Sequence, residues 1–349
     1  MKRKRIAVIG AGAIGASVAA EISRSGLNVT VIDQWPEHVQ AIRNKGLTVK
    51  MGEEVTRVHM PALHLCQLAE TRDKFDIAMI GVKAYDTRWT AELIKSYLQP
   101  DALVVGLQNS LCDDEIAAAI GRNRTVGCVV ELAAEIFDPG VLVRHTPPSK
   151  TWFGIGALDA SQRDRLKEIA GLLGCGARVS ILDNVTAAKW TKLIANAVIL
   201  GPVGALGTPI ARAFELPGMR SIAAEIGKEA LAVAQACGYE VQPVFGLGLD
   251  ELAGEPETVA RKLVDTIIEH IGPSARSSVT QDHLKNRYSE VDMLNGLVAR
   301  FGDLHGIATP YNKMIVELNH RIWHGQITPK EENLKMGNLL LNSHVAAGN

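Results

Sequence analysis

The sequence predicts an α/β fold in two parts: a parallel-sheet domain over residues 1–182, then an all-helical domain over 183–330, with a C-terminal tail at 331–349. Two observations carry this division. Before about residue 182, short β-branched apolar runs alternate with longer helical patterns, as parallel sheets with crossover helices require. Beyond Asp183 and Asn184, either of which can cap a helix, the strand pattern stops and helical periodicity runs to about Trp323. The strands expected first are Ile6 to Ile9, Val29 to Asp33, Ile77 to Val82, Leu103 to Leu107 and Val126 to Val130. Val141 to His145, Trp152 to Ile155 and Arg178 to Leu182 are shorter. The turn signal Asp138-Pro139-Gly140 suggests that they extend the sheet edge in antiparallel fashion. In the helical part, Val259, Leu263, Val264, Ile267, Ile268 and Ile271 share one face, and Val291, Leu294, Val298 and Phe301 mark another helix. The tail has mixed charge and a weaker pattern, as expected of a loosely docked helix with a frayed end.

Composition narrows the partners. Lys plus Arg number 37 against 38 Asp plus Glu, so no global positive field exists to hold nucleic acid or an anionic membrane, and a small-molecule partner is expected. Five scattered cysteines without a C-x-x-C pair suggest reduced thiols and a cytoplasmic protein. The basic start MKRKR leads into a short apolar run and then glycines, unlike a signal segment. The most apolar stretch, Leu193 to Leu206, is broken by Asn196, Gly201, Pro202 and Gly204 and is too short to span a bilayer, so no membrane partner is expected. His320 and His324 have helical i, i+4 spacing but no third metal ligand nearby, so no metal is expected.

Gly10-Ala11-Gly12-Ala13-Ile14-Gly15 follows the strand IAVI, opens the helical pattern SVAAEISRSG and precedes a second strand. This is the full context of the Rossmann-type dinucleotide fingerprint. The first glycine permits the turn, the second lets backbone approach a pyrophosphate, and the third lets helix pack on strand. Asp33 ends the second strand, where a carboxylate accepts hydrogen bonds from the adenosine ribose and repels a 2'-phosphate. Its neighbours Gln34, Trp35 and Pro36 supply no cation, so NAD is expected rather than NADP.

From Leu193 to Ala211 the chain has no charged residue, and its only polar side chains are Asn196 and Thr208. Lys192 stands at the entrance of this stretch, and Asn196 projects from the same helical face one turn on. Two readings are open at this point: a snorkelling lysine with an Asn bonded to a neighbouring helix, or a partly desolvated proton donor with a substrate-binding amide.

The set GAGAIG, VKAYDT, LQNS, KWTKLIANAV, SSVTQD, YSEVDMLNG and HGIATPYNKMI resembles, in this order and spacing, the ketopantoate reductase (2-dehydropantoate 2-reductase) family from residue 6 to about 320. The resemblance implies a Rossmann domain, a helical domain and an active site in the cleft between them. It implies that Lys192 donates the proton while NADH delivers hydride to the carbonyl carbon. Asn196, Ser278 and Asn109 would contact substrate. Glu290, beside an apolar stripe on its own helix, would act near Lys192 and the nicotinamide ribose. Lys83, Asn109 and the backbone of Ala133 would contact the cofactor along with the glycine loop and Asp33. A homodimer is implied as well.

The chain departs from the family pattern in informative places. Asn-Gly-x-Gly is replaced by Asn109-Ser110-Leu111-Cys112, so that loop must turn without its glycines. A second substrate-binding Asn becomes Leu200, a further polar contact becomes Ile210, and the basic residue usual for NADPH becomes Asp33. The expected activity is therefore an NAD-linked interconversion of 2-keto and 2-hydroxy acids, with a substrate more apolar than ketopantoate. The alternatives are reduction of ketopantoate itself, an opine- or imine-forming dehydrogenase, and a non-catalytic NAD(H) sensor. A sensor would need none of Lys192, Asn196, Ser278 and Glu290.

Overall fold

The computed structural model describes residues 4–243 and 245–337, so Met1 to Arg3 and the tail from 338 to 349 lie outside the described residues. The chain forms two compact units, Met1–Thr186 and Ala187–Asn349.

Among the described residues the first unit holds twelve strands: β1 (Ile6–Ile9), β2 (Val29–Asp33), β3 (Leu47–Met51), β4 (Glu54–Val58), β5 (Ala62–His64), β6 (Phe75–Ile80), β7 (Leu98–Gly106), β8 (Thr125–Glu131), β9 (Ala134–Glu135), β10 (Val141–Arg144), β11 (Trp152–Ala157) and β12 (Arg178–Ile181). Its helices are α1 (Ala13–Arg24), α2 (Pro36–Lys45), α3 (Thr87–Lys95), α4 (Asp113–Ile120) and α5 (Leu166–Leu173). The main sheet runs β12-β11-β8-β7-β6-β1-β2-β5, parallel from β8 through β5. Successive strand residues point to opposite faces, and both faces are covered. Ile6 and Val8 enter a core with α1 and α5, whereas Ala7 and Ile9 enter a second core with Ile94 of α3 and Ile116 of α4. A strand buried on both faces reads as an unbroken apolar run, which is why these strands were legible.

Two expectations differ from the structure. β11 is antiparallel to β8 as expected, but β12 is parallel to β11. Val141–Arg144 does not extend the main sheet at all. It lies in a separate sheet, β4-β3-β10-β9, parallel to β3, a strand that the alternating charges of residues 47–58 conceal. The buried guanidinium of Arg144 ties this layer down through Glu21 of α1 (2.8 Å), Thr151 Oγ1 and the Gly176 carbonyl.

The second unit contains most of α6 (Val185–Leu206), then α7 (Ile210–Ala213), α8 (Met219–Ala236), α9 (Pro256–Ile271), α10 (Ser278–Leu284), α11 (Asn295–His305) and α12 (Pro310–Trp323). The helix α6 begins directly after Asp183 and Asn184 and runs buried past Pro202. Polar side chains then fix its neighbours. Asn295 Nδ2 donates to the Ala197 carbonyl (3.0 Å) and to Asn312 Oδ1, and Asn319 donates to the Gly201 carbonyl. Glu229 of α8 accepts the Tyr311 and Asn312 backbone N–H groups at the start of α12, besides the Asn312 amide. Among the described residues, no helix is long and apolar enough to cross a membrane. The tail's Asn333 is buried and donates to the Ala205 carbonyl.

Candidate functional site

The sequence candidates of the first unit fall at one edge of its sheet, the carboxyl ends of the parallel strands. Gly10 follows β1, Asp33 ends β2, Lys83 stands three residues after β6, Asn109 three after β7, and Ala133 two after β8. In open α/β sheets this edge is where ligands bind.

Each glycine of the loop has its own reason. Gly10 has φ +89°, and a Cβ there would lie 2.6 Å from the Val82 nitrogen. A Cβ on Gly15 would collide with the Gly10 carbonyl oxygen, so α1 packs against the turn only because that carbon is missing. Gly12 faces open space and precedes a helix start that no side chain caps. Ala13 and Ile14 form the first turn of α1 and are partly buried against the core. A helix N-terminus of this kind, with open room above the second glycine, fits a dinucleotide pyrophosphate.

Ala11 is held at both backbone groups. Its N–H donates to Asp33 Oδ2 (2.6 Å), and the other carboxylate oxygen accepts the Trp35 N–H (2.8 Å). Its carbonyl accepts from His38 Nε2 (2.9 Å), while His38 Nδ1 accepts the Gly140 N–H (2.9 Å). Because the Gly140 amide can only donate, the proton of the neutral imidazole sits on Nε2. Burial pushes the His38 pKa below the usual imidazole range, against the opposing pull of Asp33 and the Ala11 carbonyl. Trp35 stacks on this ring at 5.3 Å. Sequence reasoning missed His38, whose partners are distant in the chain.

After β7 the loop turns without glycine by placing Ser110 at φ +75°, in the left-handed region. Asn109 is half-buried there, and the buried Gln108 Oε1 and Ser110 Oγ have no hydrogen-bond partner among the described residues. Lys83 is half-buried. The Ala133 N–H donates to Thr146 Oγ1 and its carbonyl accepts the His145 N–H, so both backbone groups already have protein partners.

In the second unit, Lys192 and Asn196 lie one turn apart on α6 and are only 8 % and 6 % exposed. Lys192 Nζ stands 3.7 Å from the ring centroid of Phe245. Lys189, one turn earlier, is buried too, and sequence reasoning passed over it. Ser278 opens α10, and its hydroxyl is buried without a hydrogen-bond partner among the described residues. The preceding Ser277 donates to the Leu200 carbonyl, which brings the start of α10 onto α6 one turn beyond Asn196. Glu290 is buried, but it precedes a 3-10 turn (Val291–Met293) instead of standing within a helix. Five residues later Asn295 bonds the Ala197 carbonyl, so this segment also converges on α6. Leu200 is half-buried, and Ile210 is 2 % exposed.

A buried ammonium, a buried amide and a buried hydroxyl without a protein partner form a set suited to a polar, anionic ligand whose oxygen takes up a proton. Comparison with known proteins agrees with this chemistry. Residues 6–157 match the family described as ketopantoate reductase PanE/ApbA, and residues 184–322 match its C-terminal family. A 2-dehydropantoate 2-reductase from Streptococcus pyogenes serotype M18 is 27 % identical over 322 residues, covering 90 % of this chain and 96 % of that protein. A solved ketopantoate reductase from Ralstonia eutropha JMP134 is 28 % identical with a TM-score of 0.77, covering 92 % of this chain and 99 % of that one. The structure of D-mandelate dehydrogenase with NADH and anilino(oxo)acetate shares the fold, with a TM-score of 0.81 at 23 % identity and coverage of 92 % and 99 %. The chain therefore belongs to the ketopantoate reductase family and is a nicotinamide-dependent oxidoreductase acting on a CH–OH group.

Proposed function

We propose that this protein interconverts 2-keto and 2-hydroxy acids with NAD(H), on a substrate more apolar than ketopantoate. The observation that carries the chemistry is the buried pair Lys192 and Asn196 on one face of α6. The bound dinucleotide supplies hydride to the substrate's carbonyl carbon. Lys192 Nζ donates a proton to the carbonyl oxygen, so that the alkoxide charge never develops unopposed, and the product is the 2-hydroxy acid. The Asn196 amide orients the same oxygen or its neighbour. The Ser278 hydroxyl binds the substrate carboxylate, which answers its lack of a protein partner. Glu290 works beside Lys192, and Asn109 beside the substrate and cofactor. Gly10 to Gly15, Asp33 and Lys83 hold the dinucleotide, whereas the Ala133 N–H and carbonyl are taken by Thr146 and His145. Asp33 favours NADH, because each of its oxygens retains a lone pair for ribose while its charge opposes a 2'-phosphate. Leu200 offers no partner to a substrate hydroxyl. A homodimer accompanies this reading through the family.

Reduction of ketopantoate itself is the second reading, favoured by relatives such as the Streptococcus pyogenes enzyme, which bears that activity's name. One assay separates the two: the loss of reduced-nicotinamide absorbance with NADH or NADPH and a panel of 2-keto acids including ketopantoate, with and without ammonia. NADH with apolar 2-keto acids should give the highest kcat/KM. NADPH with ketopantoate as the best pair would select the second reading, and an amine requirement would reject both.

A further inference from the structure

The chain between α8 and α9 is laid along the first turns of α6. Tyr239 stacks on Trp190 (5.7 Å between centroids), the Gln242 N–H donates to Thr191 Oγ1 (2.8 Å), and Phe245 covers Lys192 Nζ at 3.7 Å. Three successive helix residues are thus each engaged by a loop residue, and the last of these places an aromatic ring on the ammonium. Phe245 achieves this at φ +52°, followed by Gly246 at φ +78°. A phenylalanine in the left-handed region is an outlier, and such strain persists only where the surroundings hold it, which clusters it at functional positions.

We propose that Phe245 is a specificity-determining wall of the substrate site, which selects 2-keto acids with flat aromatic side chains over short or hydroxylated ones. The proposal rests on Lys192 as proton donor. A carbonyl oxygen that takes this proton must come within hydrogen-bond reach of Nζ, about 2.6–3.2 Å. The substituent on the carbonyl carbon then lies within a few ångströms of the groups that touch Nζ, and the Phe245 ring is one of them. Aromatic side chains meet such a ring edge-to-face or offset with added stabilisation, whereas a hydroxyl finds no partner on it. Half-buried Leu200, two turns further along α6, supplies no hydrogen-bonding side chain either.

The test is a rate comparison on the full-length protein with NADH and phenylpyruvate, pyruvate or ketopantoate as probes, for the parent and for Phe245→Tyr, Phe245→Leu and Phe245→Ala. The ratio of kcat/KM for phenylpyruvate to that for pyruvate should fall about tenfold to a hundredfold in Phe245→Ala, mainly through KM. Phe245→Leu should fall between, and Phe245→Tyr, which keeps the ring, should preserve the ratio. The KM for NADH should stay within about twofold throughout. An unchanged ratio, or an equal loss on all three acids, overturns the role of Phe245. Should Phe245→Ala not fold, the ratio in Phe245→Leu decides by the same criterion. Turnover of 2-keto acids by the parent with a ratio that no variant moves removes only the role of Phe245. Absence of turnover on every 2-keto acid removes the functional reading and this proposal together.

Discussion

His38 offers the sharpest test of how the dinucleotide loop is held. Replacing it by Phe keeps a ring of similar volume to stack on Trp35 but leaves the buried Ala11 carbonyl and Gly140 N–H without their partner. Each buried polar group deprived of its bond costs about 1–3 kcal/mol, so the substitution should destabilise the first unit by about 2–6 kcal/mol. At a denaturant slope of about 2 kcal/mol per molar urea, its midpoint should fall by about 1 M or more. The transition to follow in urea unfolding of the full chain is the one that NADH shifts upward, which assigns it to the nucleotide-binding unit. A pH series adds a second, independent readout. Burial lowers the folded-state pKa of His38, so the unfolded chain binds the extra proton first as pH falls below about 6.5. The stabilisation from neutral His38 is fully present above that pH and is lost on descending toward the folded pKa, at no more than about 1.4 kcal/mol per pH unit. His38→Phe should remove this share of the slope. A midpoint within about 0.2 M of the parent, with the same pH slope, would refute the clamp.

Three other substitutions have defined outcomes. Lys192→Ala should lower kcat by at least about a hundredfold with NADH affinity, read by fluorescence titration, nearly unchanged; comparable turnover would remove Lys192 from proton donation. Asp33→Ala should narrow the preference for NADH over NADPH in kcat/KM, and also weaken NADH binding because the Ala11 N–H loses its acceptor; a parent enzyme that favours NADPH would refute the assigned role. Glu229→Ala should destabilise the helical unit by about 2–4 kcal/mol in thermal or urea unfolding, since three donors at the start of α12 lose their acceptor. Burial raises the Glu229 pKa above the ordinary carboxylate range, so its contribution is fully present below about 4.3 and declines as pH rises through the folded value. Only the parent should show that decline, and an identical slope in the variant would count against it.

What could be read from the sequence follows from the distance over which each feature is built. The glycine loop and Asp33 were legible because they belong to one βαβ unit, and Lys192 and Asn196 because they share one helix face, where periodicity and spacing act directly. His38 was not, since it joins Ala11 to Gly140 across 27 and 102 residues, and its own helix shows only an ordinary buried position. Val141–Arg144 was recognised as a strand but assigned to the wrong sheet, because pairing with β3 is a long-range choice that strand propensity does not encode. The missing glycines at 110 and 112 were visible, yet only the backbone showed that Ser110 itself takes the left-handed turn.

These differences have a common consequence for specificity in this fold. On the proposed reading, proton donation by Lys192 and dinucleotide binding rest on short, regular segments. Substrate choice then depends on what irregular chain sets beside the donor. Phe245 lies 53 residues from Lys192 in a loop without periodicity, at a backbone angle that no propensity scale would assign to phenylalanine. Substitutions in such a loop can change the wall of the site while α6 and its lysine stay in place. Exchange of the 239–248 loop between family members should therefore alter the preferred 2-keto acid before it alters cofactor preference. A loop exchange that switched NADH for NADPH while leaving acid preference intact would contradict this separation of roles.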